Sequence, residues 1–111
     1  MATSKIQKPL AHGMYNVDIQ SDYVSANTSN TYTLGTGGDA SALIVFSAYS
    51  AGSKGIVSIF IYSGVVTYTE LPSNISMSIN ASGKFVITNN HTTGITYCIL
   101  TFRGSLTKDQ S

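Results

Sequence analysis

The sequence predicts an all-β fold: a single-domain antiparallel β-sandwich of about eight strands. Three observations predict it. Apolar residues recur with a period of two, not 3.6. Turn signals return every ~8–12 residues between short β-rich runs, as in sandwiches and barrels. Charged residues make up 10% of the chain against 42% hydrophobic, where an ordinary globular domain carries about 25% charged. The surface is therefore expected to be built from Ser, Thr, Asn, Gly and Tyr. No stretch has the pattern of a helix.

Strands are expected near 14–19, 30–34, 42–49, 55–62, 65–70, 74–80, 84–89 and 95–102. Met14 to Ile19 alternates loosely. Ile75, Met77 and Ile79 alternate with Ser76, Ser78 and Asn80, the pattern of a strand with one wet face. Ser63-Gly64 sits between two β-rich runs and reads as a tight hairpin; the run it opens, Val65 to Glu70, stops at Leu71-Pro72. Lys84 to Thr88 is entered from the turn Ala81-Ser82-Gly83. Residues 1–12 are expected to be an irregular N-terminal segment, 13–104 the sandwich, and 105–111 a polar C-terminal tail.

Three runs are apolar on both faces: Ala42 to Phe46, Gly55 to Tyr62 and Ile95 to Phe102. A sandwich buries one face of each sheet. Strands that are apolar on both sides need a second cover. A further layer does not fit in 111 residues, so a homo-oligomer is expected.

Composition excludes several functions. The net charge is +1, and Lys5, Lys8, Lys54, Lys84, Arg103 and Lys108 are scattered, so no basic stripe suits nucleic acid. No run is long enough to span a membrane. The opening Met1-Ala2-Thr3-Ser4-Lys5 lacks the apolar segment of a signal peptide, which implies synthesis in a cytoplasm. Cys98, the single cysteine, lies in an apolar run and reads as a small buried hydrophobe.

The chemical motifs fail on context. Gly35-Thr36-Gly37-Gly38-Asp39-Ala40 matches G-x-G-x-x-A, but a strand follows it where a phosphate cradle needs a helix. Ser105-Leu106-Thr107-Lys108 matches S-x-x-K without its partner motifs. His12 and His91 do not make a metal-ligand set. Asp18, Asp22, Asp39, Glu70 and Asp109 show no paired arrangement for glycoside hydrolysis; Asp18 and Asp22 are close in sequence but read as a solvated turn. The expectation is a non-enzyme without metal or cofactor.

Seven tyrosines without tryptophan suit interfaces and binding surfaces that are dry on one side and wet on the other. Eight alternating strands would place both termini at one end. The opposite end would gather the connections near 20–29, 50–54, 71–74 and 89–94. The candidate binding residues are therefore Tyr23, Asn27, Lys54, Asn74, Asn89, Asn90 and His91. Amides and hydroxyls there suit hydrogen bonding to sugars, with an aromatic ring for stacking.

Over residues 13–104 the chain resembles the jelly-roll tips and knobs of bacteriophage tail fibres and related virion appendages. The resemblance rests on Gly13-Met14-Tyr15-Asn16-Val17, the Gly-rich loop leading to Ala42-Leu43-Ile44-Val45-Phe46, the run Val57-Ser58-Ile59-Phe60-Ile61-Tyr62, and Thr96-Tyr97-Cys98-Ile99-Leu100-Thr101-Phe102. It extends to the trimeric knobs of the tumour-necrosis-factor and complement-C1q class. It implies a jelly-roll-like homotrimer in the virion that binds a host-surface glycan or protein, either as a piece of a longer fibre or as a small separate virion protein. Two other readings stand beside it: a decoration or tail-assembly protein whose partner is another virion protein, and a free-standing carbohydrate-binding lectin-like module.

Overall fold

The computed structural model describes residues 17–47 and 54–110. Nine strands are present: β1 Asp18–Val24, β2 Thr28–Leu34, β3 Ala40–Ser47, β4 Lys54–Tyr62, β5 Val65–Tyr68, β6 Ile75–Ile79, β7 Phe85–Asn89, β8 Ile95–Gly104 and β9 Leu106–Lys108. They form two antiparallel sheets. One has the order β1-β8-β3-β4-β5, the other β6-β7-β2-β9. The described residues contain no helix. The all-β sandwich expected from the sequence is the observed architecture.

The core lies between the sheets. Ile44, Ile59, Ile61, Ile95 and Ile99 from the five-stranded sheet meet Tyr32, Met77, Phe85 and Ile87 from the four-stranded one. Alternation does this work: in β3, every second residue from Ala40 to Phe46 is buried, because successive side chains point to opposite faces. The Ser63-Gly64 hairpin is as expected. Both residues have positive φ, 53° and 77°, the conformation that matches the twist of the strands it joins.

The structure corrects three expectations. The first strand runs on to Val24, so residues 20–24 are strand where a loop was expected; Gln20 and Asp22 supply inward positions that a hydrophobicity pattern does not mark. The tail carries β9, which pairs Leu106 with Leu34 and Lys108 with Tyr32. The ninth strand makes the count odd, so the start of β1 and the end of β9 point to opposite ends of the sandwich. The expected strand start at Met14–Asn16, the irregular opening and the connection at 48–53 lie outside the described residues.

The Gly-rich stretch 35–39 is the link from β2 to β3, with a strand after it. The β8–β9 step is tight. Gly104 has φ 76° and a Cβ there would strike the main-chain oxygen of Asp39, so only glycine fits. A register shift at Ser41/Ala42 on the β3–β8 ladder accompanies it.

The outer faces of the two sheets differ. The four-stranded sheet turns Ser29, Thr31, Thr33, Ser76, Ser78, Thr88 and Thr107 outward, with Val86 half-buried among them, by strand parity from its buried residues. The five-stranded sheet turns out Ile19, Ile56, Phe60, Tyr62 and Val65, with Leu43, Val45 and Leu100 half-buried among them. All the large hydrophobics that are exposed among the described residues sit on β1, β4, β5 and β8. Ile56 is 64% exposed, Phe60 47% and Tyr62 63%, and the Phe60 and Tyr62 rings stack at 6.2 Å between centroids.

Candidate functional site

Antiparallel pairing reverses the chain at every strand, so the β1–β2, β5–β6 and β7–β8 connections lie at one end, with the last residue of β3 and the first of β4. Main-chain hydrogen bonds join the three connections. Asn27 N donates to His91 O at 3.2 Å, and Asn90 N donates to Asn74 O at 2.8 Å. Lys54 opens β4 opposite Ser47, at this end by register; its side chain is outside the described set.

The seven candidate residues play different parts here. Asn27 and Asn74 are exposed and adopt φ of 55° and 60°, a left-handed conformation that asparagine tolerates better than most residues. Asn90 is exposed and His91 half-buried. Asn89 is fully buried. Its Nδ2 lies within bonding distance of Val24 O and Ser25 O, both 3.2 Å, and Thr93 O, 2.9 Å. Its Oδ1 accepts from His91 N at 2.8 Å. Asn89 thus ties two connections together and offers a ligand nothing. A buried amide with complementary partners is a structural clip.

Tyr23 is the exposed ring of the set. It points outward from β1, next to the loop end, and its phenol lies over Gly94, where a Cβ would overlap the ring. Glycine makes the seat for the tyrosine. Tyr23 and Lys108 line two adjoining depressions. The smaller also takes in Ser21, Asp22 and Thr96. The larger is a groove of about 720 Å³ whose lining includes Ser29, Asn30, Thr31, Asn80 and Ser82.

The groove is held in shape by its own polar residues. Asn80 Oδ1 accepts from Ser82 N at 2.9 Å and Lys84 N at 3.0 Å, which fixes the β6–β7 turn. Lys84 Nζ donates to Asp109 Oδ2 at 2.7 Å, and Thr33 Oγ1 donates to Asp109 Oδ1 at 2.6 Å. The ammonium of Lys84 and then the hydroxyl of Thr33 hold the Asp109 carboxyl below the usual carboxylate range. Asp109 N donates to Thr31 O at 2.8 Å, so the chain after β9 stays along β2.

Beneath the groove runs a polar chain between the sheets. Asn30 Nδ2 donates to Tyr97 OH at 2.7 Å and to Tyr23 O at 2.9 Å. Tyr97 OH and Tyr32 OH are 2.6 Å apart, and Tyr32 OH donates to Asp22 Oδ2 at 2.5 Å. Each phenol has one proton. Tyr32 gives its proton to Asp22, so Tyr97 must give its own to Tyr32. The carboxyl of Asp22 is thus engaged. Asp18 lies four residues away on the same strand, a span of roughly 13 Å at the strand rise.

The sandwich is similar in fold to one segment of a phage tailspike. The solved structure is the tailspike protein gp49 from Acinetobacter baumannii bacteriophage Fri1, a capsular polysaccharide depolymerase; the TM-score is 0.54 and the identity 12%. The match takes in 96% of this chain and 21% of the tailspike, so the chain spans about a fifth of that protein's length. At this identity the likeness is one of fold. No family model matches the chain, and no curated protein matches it.

Sequence reasoning missed Ser82, Lys84, Lys108 and Asp109 as a group. Lys108 and Asp109 belong to the stretch expected to be an irregular tail, and only the pairing of β9 with β2 brings them beside the β6–β7 turn. The one local signal was the Asn80-to-Lys84 turn sequence, which fits an asparagine bonding back to the main chain.

Proposed function

We propose that this chain is a homotrimeric β-sandwich domain of a bacteriophage appendage that binds a host-surface glycan. The observation that carries the reading is the contrast between the two outer faces. One carries exposed Ile56, Phe60, Tyr62 and Val65 between its Ser and Thr residues; the other exposes no large apolar side chain among the described residues and is clad in Ser and Thr hydroxyls. Contiguous exposed apolar patches of this kind mark interaction surfaces. A sister subunit covers the first face, which leaves the hydroxyl face and the amide-bearing loop end for the receptor. The likeness to part of a tailspike supports the phage setting.

The domain acts by adhesion and not by catalysis. Asp22 is bonded to Tyr32 and Asp109 to Lys84. The span from Asp18 to Asp22 exceeds the ~5–9.5 Å that glycoside-cleaving carboxylate pairs use.

Light scattering on the purified chain and a printed array of bacterial surface glycans test the reading together. A trimer mass with glycan hits is expected. A monomer mass with no hits overturns it. A trimer without hits that is retained by capsid or tail proteins supports the decoration or tail-assembly alternative.

A further inference from the structure

We infer that the groove between Tyr23 and the β6–β7 turn is an oligosaccharide site selective for sugars that carry a carboxylate. The inference rests on the adhesion reading above and deepens it, moving the contact from the loop tips to the edge where β1 and β9 border the hydroxyl-bearing outer side of β2.

Three observations point to the groove. Its volume of about 720 Å³ lies within the ~300–1,000 Å³ usual for ligand clefts. Its lining is not the apolar one of a typical small-molecule cleft. Hydroxyls and amides from Ser29, Thr31, Asn80 and Ser82 line it, the groups that pair with sugar hydroxyls. Its walls are fixed before a ligand arrives, through Asn80 on the turn and Asp109 between Lys84 and Thr33. A preformed site loses less entropy on binding.

Charge gives the class of sugar. Two lysines, Lys84 and Lys108, share the groove with one carboxylate, Asp109. Lys84 is paired with that carboxylate. The other ion pair among the described residues is Arg103 with Asp39. Lys108 is in neither, and it lines both the groove and the adjoining depression beside Tyr23, where the second carboxylate, Asp22, accepts the Tyr32 proton. An ammonium without a carboxylate partner, next to a ring and a row of hydroxyls, fits an acidic pyranose: the ring stacks, the hydroxyls pair, and the carboxylate meets Lys108. By contrast, the loop end uses Asn89 and the main chain of Asn27, Asn90 and His91 to hold itself together.

The test is an array of acidic and neutral bacterial glycans, followed by calorimetry of the best acidic hit and of its carboxyl-reduced form. The full chain should bind acidic glycans, and carboxyl reduction or Lys108→Gln should each weaken binding about tenfold, the effect of losing one charge-assisted contact. Lys108→Arg should retain binding, and raised salt should weaken it. Ser82→Tyr, on the exposed turn, should block the groove without touching the core. Neutral hits, or acidic hits unmoved by Lys108→Gln and Ser82→Tyr, overturn the groove while leaving a glycan-binding trimer standing. An array without hits overturns the groove whatever the mass, and with a monomer mass it removes the adhesion reading too.

Discussion

Tyr32 on β2 gives its phenolic proton to Asp22 on β1 across the gap between the sheets, at 2.5 Å. Tyr97 on β8 stands behind Tyr32 at 2.6 Å, and both rings are buried. The contact places a polar chain inside a mainly apolar core, and it ties the edge strand β1 to the opposite sheet. Burial, chiefly, pushes both phenols above their ordinary range; the proximity of Tyr97 and of the Asp22 carboxylate adds to the effect at Tyr32.

The sign of the pH dependence follows. Folded phenol values that lie above the unfolded ones give stability that is whole below about pH 10 and is lost as pH rises beyond it. Above that point Tyr32 should remove about 1.4 kcal/mol per pH unit, because the unfolded chain releases a proton that the folded one keeps, and Tyr97 acts in the same direction. Tyr32→Phe should cost about 1–3 kcal/mol at pH 7, since Asp22 and Tyr97 lose a partner. The variant should also lose stability less steeply above pH 10. Urea unfolding from pH 8 to 11.5 checks both effects; equal slopes for the two proteins would count against the chain of phenols.

Asn89 invites a second prediction. Removing its amide by Asn89→Ala takes the side-chain partner from Thr93 O, His91 N and the carbonyls of Val24 and Ser25, around a side chain that is itself fully buried. A loss of about 2–4 kcal/mol is expected from several partners left unsatisfied together. Asn89→Asp should be at least as damaging, because it sets a carboxylate against carbonyl oxygens. Hydrogen exchange should show early opening at residues 25–27 and 90–94.

The two-residue period revealed the core because it is a one-dimensional signal: Ile75, Met77 and Ile79 point one way whatever their neighbours are. The same holds for the positive-φ pair Ser63-Gly64. The rest depended on pairing. Gln20, Asp22 and Asn30 face inward as polar residues, and their burial makes sense only with Tyr32, Tyr97 and Leu106 O as partners. The three-residue strand β9 carries one buried apolar residue, Leu106, too few to show a period. Asn89 read as a loop residue because its type favours loops, yet its four bonds are long-range or loop-closing facts. The groove was invisible for the same reason.

Gly94 and Tyr23 provide a third test. Gly94→Ala should force the Tyr23 ring off its seat, since the added methyl overlaps the phenol. The ring is half exposed and can swing into solvent, so the cost should stay near 1 kcal/mol. Tyr23→Ala combined with Gly94→Ala should cost less than the two single changes summed, because they share one contact. Chemical denaturation of the four proteins measures that coupling. Gly94→Ala should also weaken glycan binding by displacing the stacking ring.

The outer face of the five-stranded sheet sets a last expectation. Ile56 and Phe60 stand out from β4 on a side that the described residues leave exposed. In a lone subunit, Ile56→Lys is a surface change within about 0.5 kcal/mol of neutral, and Phe60→Lys costs about 1 kcal/mol through the lost stack on Tyr62. In an assembly that buries this face, each removes about 1.5–3 kcal/mol of apolar burial per subunit and places an ammonium in a dry interface. Association should therefore weaken by more than about a hundredfold in the double variant, while circular dichroism keeps its β-sheet form. Light scattering should read a trimer for the natural sequence and a monomer for the double variant. Equal masses would mean that these side chains stay in water, and the contrast between the two faces would then need a partner other than a second copy of the chain.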